Sequence, residues 1–259
     1  MSNYDRNASA RWGTSVGQAT STQVDQGLRA YMLGVYNYMT FGLAITGFVA
    51  LGTQMMAVSA TPTAYRFGGQ FLTSFGAALY GSPLKWVVML APLAFVLFFS
   101  FRIDRMSAAS ARNMFFAFAA VMGLSISTIL LVYTGTSVAR AFFITAGAFG
   151  GLSLYGYTTR RDLSAFGSFL VMGLIGLILA SVVNIFLASS ALQFGLSVLS
   201  ILIFAGLTAW DTQAIKEMYY ANDDYETATK KSVNGALMLY LDFINIFQSV
   251  LSLTGSRND

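Results

Sequence analysis

The chain has 259 residues, 56% of them hydrophobic and only 10% charged, with a mean hydropathy of +0.62; soluble domains carry about 25% charge, so this composition belongs to a bilayer. Cysteine and histidine are both absent, which excludes disulfides, thiolate metal sites, iron–sulfur clusters, histidine-based nucleophile pairs and the HExxH zinc motif. The net charge of +4 comes from basic residues lying between apolar runs, the pattern of membrane-flanking loops rather than of a nucleic-acid-binding face.

Residues 1–26 are polar and rich in Ser, Thr, Gln and Asn, without the apolar core of a signal peptide, and read as a disordered cytosolic tail. Residues 27–259 read as one transmembrane domain. Seven apolar runs follow the tail, at 30–53, 84–102, 113–133, 138–158, 165–187, 192–214 and 236–253. Each approaches the ~20 helical residues that span a bilayer, so the fold class is an all-α integral membrane protein with seven transmembrane helices. The loop at 54–83 alternates aromatics with Gly and Ser, and is expected to be either a short interfacial helix or a plain loop. Pro92 is expected to kink the second span. Gly147, Gly150, Gly151, Gly156, Gly173 and Gly176 have the small-residue spacing of close helix–helix packing.

Orientation follows from the basic residues. With the N-terminus inside, the cytosolic side holds Arg6, Arg11, Arg29, Arg102, Arg105, Arg112, Arg160, Arg161, Lys216, Lys230 and Lys231, against Arg66, Lys85, Arg140 and Arg257 outside. The chain is therefore expected in a membrane with a cytoplasmic N-terminus and an external C-terminus. A re-entrant last segment, returning the C-terminus to the inside, is the rival topology.

Of the 11 acidic residues, only Asp211, in TAWDTQAIK, and Asp242, in LYLDFINIF, fall within spans. A central aspartate costs about 2.5–3.5 kcal/mol on insertion scales and normally faces a bundle interior or a water-filled cavity. Asp211 precedes Lys216 by five residues, or ~7–8 Å of helix, and Asp242 follows Ala236 by six, or ~9 Å. The two spans run in opposite directions, so both carboxylates reach a similar level. In contact they would share a proton and latch the helices; without it they would repel, or recruit a cation or Arg102, which closes the second span. Calcium favours such oxygen ligands, so Asp211 and Asp242 are also candidate Ca²⁺ ligands. In a chain lacking histidine, this pair is the strongest available proton sensor.

AGLTAWDTQAIK at 205–216 and ALMLYLDFINIFQSVL at 236–251 resemble the transmembrane Bax-inhibitor-motif family, the Bax inhibitor-one type, in its bacterial members. LYGYTTRRDLSAFGSFL at 154–170 and VVNIFL at 182–187 are similar to that family's central helices, and the resemblance covers residues 28–254. It implies six helices surrounding a central C-terminal helix, a place in a bacterial inner membrane and a pH-sensitive calcium leak. It also implies a paired-aspartate sensor at Asp211 and Asp242, with Arg102 in the place of an arginine latch. The acidic residue of the second helix in a characterised bacterial relative has no counterpart in WVVMLAPLAFVLFFSF at 86–101, and Trp210 stands where the family often has tyrosine.

The leading expectation is thus a calcium channel of the Bax-inhibitor type, performing ion transport with pH sensing and needing no cofactor beyond Ca²⁺ as the transported ion. An intramembrane aspartyl protease would also use two aspartates, but its GxGD motif is absent: Ala209 and Tyr240 stand two residues before Asp211 and Asp242. Enzymatic activity is therefore not expected. The alternative is a non-conducting membrane regulator that binds a membrane quality-control protease or another protein partner, with the polar tail supplying contacts. The lipid bilayer and calcium are the other expected partners, and nucleic acid is not one.

Overall fold

The computed structural model describes residues 26–258, apart from Gly68 and Asp104. The expected disordered tail at 1–26 lies almost wholly outside those residues. Seven helices long and apolar enough to cross a membrane follow one another: α1 (Gln26–Ala57), α2 (Leu84–Arg102), α3 (Ala108–Val132), α4 (Gly135–Thr158), α5 (Ser164–Leu187), α6 (Ser190–Glu217) and α7 (Tyr225–Thr254). Their order matches the seven apolar runs. Several helices extend beyond their runs at one end of the bundle, α3 starting at Ala108. α6 continues to Glu217, and α7 starts at Tyr225, so the polar stretch YETATKKSVNG belongs to a helix rather than a loop. Asp224 caps α7 by accepting from Glu226 N at 3.2 Å.

Short connections begin the spans with side-chain caps, since hydroxyl oxygens can satisfy the free N–H groups of a first turn. Ser107, Thr134 and Ser189 do this for α3, α4 and α6. α5 ends where Ala188 adopts a left-handed φ of 47°. The loop at 54–83 is neither of the expected forms. It carries an antiparallel hairpin, β1 (Arg66–Phe67) with β2 (Gln70–Phe71), followed by helical turns over 74–81. Its side of the bundle is called the hairpin end below, and the opposite side, with Arg102, Arg160 and Lys216, the basic end.

α7 is the most buried span and packs against α1, α3, α4 and α6. It therefore runs the full length of the bundle as the central helix, not as a re-entrant segment. Tyr240 fixes its register. The Tyr240 ring is fully buried, meeting Phe115 edge-on at 5.8 Å and Phe118 at 5.6 Å. Thr46 donates to Ala119 O at 2.8 Å, which leaves its oxygen to accept from the Tyr240 hydroxyl at 2.6 Å. One residue thus ties α7 to α1 and α3. α2 packs chiefly on α3, and α5 on α6, leaving both at the periphery. Their outer faces are apolar, with Phe101 and Phe186 more than four-fifths exposed, as lipid-facing helices require.

The glycines divide. A Cβ at Gly156 would collide with Ala209 O, and one at Gly173 would come to 3.3 Å from Ile203. By contrast, Gly147, Gly150, Gly151 and Gly176 have nothing within 4 Å of that position, so the expected close packing is not made there. Gly156 matters because Ala209 lies two residues from Asp211. Gly156→Ala is expected to force α4 and α6 apart, costing about 1–3 kcal/mol by overpacking. Thermal unfolding in detergent checks this, alongside Gly150→Ala as a control expected to change little.

Candidate functional site

Asp211 and Asp242 are brought together from the neighbouring helices α6 and α7, with their carboxyl groups within hydrogen-bonding reach. Both are buried, with 7% and 3% of their surfaces exposed. The Thr208 hydroxyl, one turn from Asp211, also faces Asp242 but donates to Phe204 O at 2.7 Å. Asp242 Oδ2 receives no hydrogen bond from any described donor. Two facing carboxyl groups attract each other only when a proton lies between their oxygens.

Arg102 stands apart from the pair. It ends α2 with an exposed side chain, its guanidinium 5.4 Å from the Phe98 ring centroid, and no ion pair links it to either aspartate. The ion pairs among the described residues, Lys231 with Asp223 and Lys230 with Glu226, are at the basic end. No group of three or more acidic side chains placed to hold a metal occurs among the described residues. A cation at the pair would have two carboxylates and would need its other oxygen ligands from amides, hydroxyls, carbonyls or water.

A cavity of about 950 Å³ lies between α2 and α5, floored by α6 and α7, and both aspartates line it. It extends from the pair to residues at the hairpin end, including Tyr133, Gln193 and Ser252. Its α5 wall is aliphatic apart from Ser181, and its floor carries a polar stripe among apolar side chains such as Leu196, Phe204 and Leu241. Asn245, Gln248, Ser249 and Ser252 follow Asp242 along α7, opposite Ser200 and Ser197 of α6. Sequence reasoning singled out the charges and missed this stripe. Its signal was the recurrence of polar residues at 242, 245, 249 and 252, a helical spacing within an apolar run.

The cavity ends at the pair, and on the basic side the helices close. Ile215 is fully buried, and a Cβ on Gly235 would come to 2.9 Å from it. Gln213 bonds to the α4–α5 connection twice, donating to Arg161 O at 2.9 Å and accepting from Leu163 N at 2.8 Å. Lys216 donates to Tyr157 O at 2.9 Å. Trp210 lines the cavity beside Asp211 and lies against Gly167, which has no room for a Cβ. The arrangement is a vestibule shut at one end by two carboxyl groups and the packed helix ends beyond them.

Fold and site together define a multi-pass integral membrane protein with an acidic pair at the base of an intramembrane cavity. The chain belongs to the Bax inhibitor family: the model described as "Inhibitor of apoptosis-promoting Bax1" matches residues 28–259. It is 46% identical over 235 residues to the uncharacterized protein RP147 of Rickettsia prowazekii, covering 91% of this chain and 93% of that one. It is 43% identical over 233 residues to the inner membrane protein YbhL of Escherichia coli K12, covering 89% and 93%. An uncharacterized membrane protein of Streptococcus pyogenes is 32% identical over 238 residues, with 92% and 97% covered.

Proposed function

We propose that the protein is a pH-sensitive calcium leak channel in which Asp211 and Asp242 form the proton-controlled gate. The observation that carries this reading is the contact of two buried carboxyl groups near the end of a large cavity whose floor carries a polar stripe. With a proton between them, the carboxyls hold α6 to α7 and the basic end stays packed. When that proton leaves, two adjacent negative charges repel in a low-dielectric site, and the same charges attract a divalent cation from the cavity. Separation of α6 from α7 would loosen the Ile215–Gly235 contact and connect the cavity to the basic end. Arg102, which ends α2 at the basic end, would swing toward the ionised carboxylates and reset them, a role that no present contact supplies.

The distribution of basic residues supports a cytoplasmic basic end, and likeness to the Escherichia coli inner membrane protein supports an inner-membrane location; calcium would then enter from the hairpin side. The chemistry asks for no resident cofactor and no covalent step. The test is Ca²⁺ entry into liposomes containing the full-length protein, followed with an encapsulated indicator from roughly pH 5 to 8, the interval in which groups tuned to physiological pH change charge. Flux above that of protein-free liposomes and rising with pH is expected. Flux equal to protein-free liposomes at every pH overturns the reading and leaves the non-conducting, partner-binding role.

A further inference from the structure

Between the aspartate pair and the hairpin end, an ion would have to cross a stretch of cavity that holds no charged side chain. Asp242, Asn245, Ser249 and Ser252 succeed one another on one face of α7 and all line the cavity. At 1.5 Å per residue they span ~15 Å, about half the thickness of the hydrocarbon core. The serines are paired across to α6. Ser249 donates to Ser200 at 2.8 Å, and Ser197 lies 3.2 Å from Ser252. These rungs hold hydroxyl oxygens in fixed positions along the floor.

Asn245 is different. Its amide nitrogen donates to Leu241 O, one turn back on its own helix, at 2.8 Å. The amide is thereby turned so that its oxygen faces away from that carbonyl, in a half-buried residue that lines the cavity. No described donor bonds to that oxygen. One turn below it Asp242 also lines the cavity, and its buried Oδ2 likewise receives no hydrogen bond. An amide oxygen and a carboxylate oxygen at successive turns, without donors of their own, are suited to a hard cation and not to an anion.

We infer that Asn245 is a cation-coordinating residue of the conduction path, forming with the Ser200–Ser249 rung a neutral oxygen site above the aspartate pair. The inference rests on the channel reading above and assigns the ligand set that reading leaves incomplete. Conduction requires sites that bind strongly enough to replace hydration and weakly enough to release. Two carboxylates alone would retain a divalent cation. A neutral oxygen site one turn away gives it a second position from which to leave, or to be displaced by the next ion. The substrate class is a hard divalent cation, partly hydrated, with its remaining ligands supplied by water.

The experiment is Ca²⁺ flux into liposomes of the full-length protein bearing Asn245→Leu, Asn245→Gln or Ser249→Ala, at the pH where the unaltered protein conducts best. Asn245→Leu keeps the size but removes the oxygen, and is expected to lower flux by about tenfold or more, a barrier change of about 1.4 kcal/mol, without moving the pH midpoint. Asn245→Gln, which restores an amide oxygen, is expected to recover most of the flux, and Ser249→Ala to lose part of it. Thermal unfolding of each variant shows whether the bundle persists. If Asn245→Leu is unfolded, Ser249→Ala decides: flux equal to that of the unaltered protein overturns the inference. Folded Asn245→Leu protein conducting like the unaltered one overturns this inference and leaves the channel reading intact. Absence of flux in the unaltered protein overturns both.

Discussion

Asp242→Asn is expected to give a folded protein whose calcium flux no longer responds to pH. Asparagine has nearly the shape of aspartic acid and can donate to Asp211, so the α6–α7 latch keeps its hydrogen bond without needing a shared proton. It cannot ionise, so no second charge arises beside Asp211 as pH rises. Two unit charges about 4 Å apart repel by about 4 kcal/mol at an effective dielectric of about 20. A third of that is already about tenfold in an equilibrium between closed and open helices. Flux of the unaltered protein is therefore expected to change by about tenfold or more between roughly pH 6 and 8, and that of the variant by less than about twofold. Asp211→Asn is expected to behave in the same way, because either substitution removes the second charge. Liposome flux with each single variant checks this, and an undiminished pH response in both would show that the gate lies elsewhere.

Tyr240→Ala is expected to have the largest effect on stability. Tyr240 is on the central helix, two residues from Asp242, and is fully enclosed by Phe115, Phe118 and Thr46. Truncating a buried aromatic leaves a cavity and typically costs about 3–5 kcal/mol. Here it also deprives Thr46 of its donor and frees the register of α7 against α1 and α3. Tyr240→Phe keeps the ring and loses only the 2.6 Å hydroxyl contact with Thr46, so a cost of about 1 kcal/mol is expected. The unfolding midpoint in detergent should be highest for the unaltered protein, lower for Tyr240→Phe and lowest for Tyr240→Ala. Equal midpoints for the unaltered protein and Tyr240→Ala would contradict the anchoring role.

Much of this architecture was legible because a bilayer imposes a length on apolar runs, and seven such runs stand clear in the sequence. The aspartate pair was legible for a related reason. A carboxylate is rare enough inside a span that two of them at one depth are conspicuous, and the structure does bring Asp211 and Asp242 together. Features written in polar residues were harder to read. YETATKKSVNG continues α7 by three turns, yet hydropathy marks only the part beginning at Ala236. The 54–83 loop folds into a hairpin and helical turns through backbone pairing that its Gly- and Ser-rich composition does not announce.

The glycines show another limit. Gly147 and Gly151 have the four-residue spacing of a packed interface and Gly156 stands outside it, yet of these three only Gly156 meets another helix closely. Spacing gives the capacity for close approach, and the neighbour is set by the whole bundle. Asn245 was overlooked for the opposite reason. An amide amid Phe and Ile reads as a single tolerated polar residue until the cavity places it in line with Asp242, Ser249 and Ser252.

In this mechanism a proton held between Asp211 and Asp242 keeps the path closed. Infrared titration of the protonated carboxyl stretch in liposomes, taken as the unaltered protein minus the Asp211→Asn/Asp242→Asn protein, tests it most directly. The account predicts a buried-carboxyl band that disappears as pH rises, over the same interval in which calcium flux turns on. A difference spectrum without that band at the pH of the closed state, or a band that titrates where flux does not change, would contradict it.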